Sequence, residues 1–199
     1  LFSKLKENKK ERDIIHQQIV DSISIEKELK YECNEEVIEN PKTVLSDFGN
    51  FCDEDDEFED EFGTRYYRAP EIMMVAETSY PVDIWALGCT FYELIMGKTL
   101  FNPKKKKYDT NHEHLSMIQN FCGTIPKKLV KKCRKRKTYF TKDYRLKDYT
   151  ENSISLSEML LNEISNKDIV DFITSCLNTN PKTRANIRQL IAHPIFKQI

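Results

Sequence analysis

Between Pro81 and Gly97 the chain carries Ile84, Trp85, Leu87, Cys89, Phe91, Tyr92, Leu94 and Ile95. At helical spacing these positions cover nearly every side of one helix. A helix that is apolar all round has to be surrounded by protein, so this stretch is expected to form a central post. Gly97 then supplies the stop. Other helices must be found to wrap the post, and the sequence offers them. Thr110-Asn111-His112-Glu113 has capping-box spacing ahead of Leu115, Ile118 and Phe121, with Gly123 as terminator. Ser155-Leu156-Ser157-Glu158 repeats the device before Met159 and Leu160. Ile169, Phe172, Ile173, Cys176 and Leu177 make a three-four stripe, and a last helix is expected from about Arg184 to Ile191, stopped by His193-Pro194. Everything after residue 80 reads as a helical domain.

The first 80 residues follow other rules. Residues 3–13 are polar and read as a solvated loop. Residues 14–40 hold Ile14, Ile15, Ile19, Val20, Ile23, Ile25 and Leu29, which fit neither a clean helix nor a clean strand, so hairpin and helix both stay open. Asn40-Pro41 breaks that pattern. Thr43-Val44-Leu45 is a short strand candidate leading into Asp47-Phe48-Gly49, and residues 50–63 form an acidic loop.

Composition removes several classes. With 39% hydrophobic and 32% charged residues in 199, the chain is too apolar for disorder and too polar for a membrane protein. No apolar run approaches the ~20 residues of a membrane span, and no leader pattern opens the chain. Its first residue is Leu1, so the start is expected to lie upstream. The five glycines build no Gly-x-Gly-x-x-Gly loop. Six cysteines without a CxxC pair suit a reduced compartment. His112 and His114 lack a carboxylate or thiol set at ligand spacing, and are expected on a helix surface rather than on a metal.

The net charge of −1 hides strong segregation. Residues 51–71 carry −7, whereas residues 101–150, with 15 basic and 4 acidic side chains, carry +11. Such fields steer charged partners and weaken with salt.

Asp47-Phe48-Gly49 alone is a weak signal. After nineteen intervening residues, however, stand Ala69-Pro70-Glu71, preceded by Thr64-Arg65-Tyr66-Tyr67-Arg68. Asp83-Ile84-Trp85-Ala86-Leu87-Gly88-Cys89 and Asn180-Pro181-Lys182-Thr183-Arg184 follow. In this order and spacing the chain resembles the C-terminal lobe of a eukaryotic protein kinase. The 64–71 segment is similar to the CMGC group. Glu113-His114-Leu115-Ser116-Met117-Ile118 resembles a decayed EHLAMMER signature of the LAMMER or CDC-like kinases. Gly123-Thr124-Ile125-Pro126 and Arg134–Phe140 are similar to the same family, with SR-protein kinases next closest.

The resemblance implies a mainly α fold: a helical C-lobe with a short strand before Asp47, and no N-lobe in these residues. Residues 1–42 would be an insertion between catalytic loop and DFG motif, and 43–199 the lobe itself. Asp47 would hold Mg²⁺ between the ATP phosphates, because a hard cation prefers carboxylate oxygen. Thr64 would support the catalytic aspartate. Arg65, Tyr67 and Arg68 would line the pocket for the residue after the phosphosite. Glu71 and Arg184 would form a buried ion pair, and Asp83 would bond the catalytic-loop backbone. The general base is expected upstream of Leu1, so the 199 residues alone are expected to be inactive. The intact protein would be a monomer using ATP and Mg²⁺ to phosphorylate Ser/Thr, and Tyr under dual specificity, in basic Arg/Ser-rich proteins of the nucleus or nucleocytoplasm. Membrane and nucleic acid are not expected as partners. The rival reading is a half-kinase that serves as a pseudokinase scaffold.

Two charge runs stay open at this level. Residues 53–61 place eight carboxylates in nine positions, with no Ser, Thr or Tyr from Asn50 to Gly63. They suit a solvated loop, a built-in replacement for activating phosphate, or an attractor of Arg-rich substrates. Lys104–Lys107 and Lys127–Lys137 suit solvated surface, a nuclear-localisation patch, nucleic-acid backbone contact or an acidic partner.

Overall fold

The computed structural model describes residues 61–105, 107–150 and 155–196, together with Val44 and Ser46. A 3-10 turn, Arg65–Tyr67, leads into α1 (Pro70–Met73). There follow α2 (Pro81–Met96), α3 (Thr110–Cys122), α4 (Lys127–Lys132) and α5 (Arg136–Tyr139). The chain continues as α6 (Leu156–Glu163), α7 (Lys167–Cys176) and α8 (Ile187–Ile191), with a closing 3-10 turn at Pro194–Phe196. Among the described residues strand pairing is limited to one antiparallel bridge, Phe140 to Leu146. The strand expected at 43–45 lies mostly outside the described residues, and Val44 is 80% exposed.

Helix α2 is the post, but it is buried on one side only. Trp85, Gly88, Cys89, Tyr92 and Ile95 face inward. Tyr80, Leu87 and Leu94, seven residues apart, turn outward, and Leu94 is 68% exposed. The expectation of burial all round is therefore corrected: apolar identity marked eight positions, and packing selected one stripe of them. Its nearest neighbour is α7. The two approach so closely at Gly88 that a Cβ there would sit 2.6 Å from Cys176 Cβ and 3.0 Å from Leu177 Cγ. Only glycine fits that crossing. The expected stripe of α7 is buried throughout: Ile169, Phe172, Ile173, Cys176 and Leu177. Phe172 packs on Phe91 with ring centroids 4.8 Å apart. On the opposite flank Trp85 stacks on Phe101 at 5.8 Å, and Phe101 meets His114 and Phe121 of α3.

Helix ends follow local chemistry. Gly97 closes α2 at φ 64°, where a side chain would be strained, and donates its N–H to Glu93 O. The capping box of Ser155 and Glu158 forms reciprocally. The start of α3 departs from expectation. Asp109, not Thr110, is the cap, and its Oδ1 accepts from His112 N at 2.9 Å. A carboxylate one residue earlier offers a stronger acceptor to the free amides. The last helix begins later than expected, because Asn186 caps it reciprocally with Gln189.

His112 and His114 correct a further expectation. Both lie inside, at 2% and 0% exposure, because α3 turns its first two turns towards Phe101 and Tyr139.

Candidate functional site

The segment from Glu61 to Glu71 is mostly non-helical, with a 3-10 turn at Arg65–Tyr67 before α1, and side-chain bonds hold it. Tyr67 sends its hydroxyl into α2, donating to Glu93 Oε2 at 2.7 Å, and this bond above all raises the phenol pKa. Arg65 Nη1 donates to Asn111 Oδ1 of α3 at 2.6 Å. Arg68 Nε donates to Gly63 O at 2.8 Å and Nη1 to Glu61 Oε2 at 2.9 Å. Desolvation holds the Arg68 guanidinium below its ordinary pKa, and neighbouring Arg65 adds to the effect. The α1 terminus is fixed as well: Val75, at φ 51°, accepts from Arg134 N, and Met74 O accepts from Cys133 Sγ and Lys135 N. A β-branched residue at positive φ is strained, and these bonds hold it there.

Glu71 and Arg184 lie 113 residues apart in sequence and meet with both side chains fully buried. Arg184 Nη1 donates to Glu71 Oε1 at 2.7 Å and Nη2 to Oε2 at 3.0 Å, a bidentate fork. Four of the five guanidinium N–H groups are engaged: Nη1 also reaches Pro81 O at 2.7 Å and Nε reaches Asn178 O at 2.9 Å, and the guanidinium face lies 5.0 Å from the Trp85 ring. One arginine therefore ties α1, the first residue of α2 and the loop before α8 together. A buried charge is tolerable only with a paired counter-charge and hydrogen bonds of this kind.

The remaining expected positions are more open. Thr64 is exposed and makes no capping bond. Asp83, in the first turn of α2, is exposed at the residue level, yet desolvation raises its carboxyl pKa. Asp47 lies outside the described residues. Among the described residues no group of three His, Cys, Asp or Glu could hold a metal ion.

Several contributors were missed by pattern reading. Glu61 receives Lys135 Nζ at 2.6 Å as well as Arg68 and Asn111. Tyr139 donates to Asp109 Oδ2 at 2.8 Å and receives Asn111 Nδ2 at 3.4 Å. The one available signal was Arg65 and Arg68 three apart, since two arginines on a short turn need an anion. Much of the basic surface is paired or packed. Lys132 meets Glu77, Lys107 meets Asp148, and Lys131 and Arg136 lie over the Tyr144 ring.

A family model for the protein kinase domain matches residues 34–196. The chain belongs to the protein kinase family. Its helical fold is that of a kinase C-lobe. Human "Dual specificity protein kinase CLK1" is 33% identical over 178 residues, covering 84% of this chain and 35% of that protein. "Putative serine/threonine-protein kinase L205" of Acanthamoeba polyphaga mimivirus is 32% identical over 169 residues, 80% of this chain and 31% of that protein. "Serine/threonine-protein kinase SKY1" of Saccharomyces cerevisiae is 29% identical over 160 residues, 77% of this chain and 22% of that protein. The chain thus spans about a third of the length of the first of these relatives. No helix among the described residues is long and apolar enough to cross a membrane.

Proposed function

We propose that the chain is part of a kinase resembling the LAMMER or CDC-like kinases, one that transfers the ATP γ-phosphate to Ser/Thr, and with dual specificity Tyr, of basic Arg/Ser-rich proteins. The observation that carries this reading is the Thr64–Glu71 segment, fastened to a helical lobe through the bidentate Glu71–Arg184 pair. Phosphoryl transfer asks little covalent work of a protein and much positioning, so a rigid platform beside the acceptor is the needed part. Tyr67, tied to Glu93, and Arg65, tied to Asn111, form a wall that is already fixed. In this reading 61–71 is the end of the activation segment, and the exposed Thr64 and Asp83 are open to the roles that the resemblance implies for them.

ATP and Mg²⁺ are the cofactors of this reading, and Asp47 is the residue that would hold Mg²⁺, whose charge offsets that of the transferring phosphoryl group. Asp47 lies outside the described residues, so its fit to Mg²⁺ rests on its place in the DFG motif. The family's His-Arg-Asp motif does not occur in these 199 residues, and the expectation is that they transfer no phosphate by themselves. A nuclear setting and a monomeric state follow from the same resemblance.

The test reads the genomic sequence upstream of Leu1, expresses the chain with whatever open frame continues there, and supplies Mg²⁺, labelled ATP and an Arg/Ser-rich peptide. Transfer that disappears in Asp47→Ala supports the reading. A folded product without transfer favours the scaffold. Transfer by the 199 residues alone would contradict both the scaffold and the expectation that they are inactive by themselves.

A further inference from the structure

Glu61 ends the acidic run 53–61, and its carboxylate is 16% exposed. Oε1 accepts from Lys135 Nζ at 2.6 Å and from Asn111 Nδ2, and Oε2 accepts from Arg68 Nη1 at 2.9 Å. Arg65 Nη2 stands 3.9 Å from Oε2. Three cations and an amide therefore converge on one carboxylate, from the activation segment, from α3 and from the residue before α5. Among the described residues this one carboxylate is within 3.9 Å of three cations. Further in, His114 offers no anion, and burial together with Arg65 and Arg68 keeps its imidazole neutral.

Such a cluster fits a dianion better than it fits a carboxylate, since a phosphate carries roughly −1.5 to −2 and three acceptor oxygens. Activation loops are commonly ordered when a phosphorylated hydroxyl engages arginines. Here no hydroxyl residue occurs from Asn50 to Gly63. We propose that Arg65, Arg68, Lys135 and Asn111 form an anion seat that Glu61 fills permanently, so that the activation segment is positioned without phosphorylation. This deepens the kinase reading and rests on it. Glu61 is a positioning residue: it touches no reacting atom and acts through Arg65 and Arg68 on the turn that carries Tyr67.

A vacated seat should accept the ion it resembles. In the 199-residue chain, thermal melts are taken for wild type, Glu61→Ala, Glu61→Gln and the pair Glu61→Ala/Arg68→Ala. The probe is inorganic phosphate, against chloride at matched ionic strength. Wild type should respond equally to both salts. Glu61→Ala should melt lower, and tens of millimolar phosphate should return about 3–6 °C of that loss. Glu61→Gln keeps the shape and loses the charge, so it should also melt lower, and it serves if Glu61→Ala does not fold. The double variant should ignore phosphate. Equal phosphate responses in wild type and Glu61→Ala, or a wild-type melting point in Glu61→Gln, would overturn the proposal. No step here needs ATP or transfer, so an inactive longer protein beside a Glu61→Ala chain that regains its stability in phosphate would count against the kinase reading and leave the seat standing.

Discussion

Arg184 does the most with one side chain. Removing it leaves Glu71 charged, buried and without its fork, an arrangement that typically costs about 3–5 kcal/mol. Arg184→Ala should therefore lower the melting temperature by about 10 °C or prevent folding, against an exposed control such as Lys105→Ala. A shift no larger than that control would show that the pair is not what holds α1 to the lobe. His114 gives a residue-scale prediction in pH. Burial first, then Arg65 and Arg68, lower its pKa to about 3, whereas an unfolded histidine titrates near 6.5. Below about 6.5 the unfolded chain takes up a proton that the folded chain refuses. The stability is thus fully present above that pH and falls as acid is added, by about 1–2 kcal/mol near pH 5–5.5. Melts of His114→Leu between pH 7 and 5 should show a shallower fall than wild type, and an identical slope would rule the residue out. His114 was legible as an EHLAMMER-like position, but its depth was not. Two histidines in a polar stretch look solvated until Phe101 and Tyr139, distant in sequence, come to cover them.

At the scale of elements, α2 and α7 decide the lobe. Gly88 costs α2 about 1 kcal/mol of helix propensity relative to alanine. Its presence is explained by the 2.6 Å approach of Cys176 Cβ, an atom next to the backbone that has little room to move. Gly88→Ala should destabilise by about 1–3 kcal/mol despite the propensity gain, as overpacking does, and denaturant melts would read it. A stabilised variant would mean that the helices part easily. The α3 cap gives a second element-scale prediction. Asp109→Ala removes both the His112 N acceptor and the Tyr139 partner, and should cost about 1–2 kcal/mol, whereas Thr110→Ala should cost much less. The longer helices and the α7 stripe were readable because apolar periodicity carries them, whereas the short α1, α4 and α5 have too few residues to show a period. The cap was misplaced by one residue because Asp and Thr stand side by side and either chemistry serves. The exposed side of α2 was unreadable, since Leu87 and Leu94 are as apolar as their buried neighbours.

At the scale of the whole molecule, the described residues form a helical lobe, and charge fastens the 61–71 stretch to it at both ends: Glu61 in its cationic seat and Glu71 in the buried fork. The ordered motifs made the family legible from sequence, since their spacing survives divergence. The seat was not legible, because Glu61 is one of eight carboxylates in nine residues and only the fold brings Lys135, 74 residues away, beside it. Exposed members of the +11 region should respond to salt, whereas the fully buried Glu71–Arg184 fork should respond little. The most direct measurement is site-resolved hydrogen exchange on the unphosphorylated 199-residue chain. Tyr67 and Arg68 donate their amides within the 3-10 turn, and Ile72 and Met74 donate theirs into α1. These amides should exchange at least about tenfold more slowly than an unfolded chain, and in Glu61→Gln those of Tyr67 and Arg68 should move towards the unfolded rate while α2 and α7 stay protected. Unfolded-chain exchange at Tyr67 and Arg68 in the wild type, or unchanged protection in Glu61→Gln, would contradict a segment held in place by its own charge.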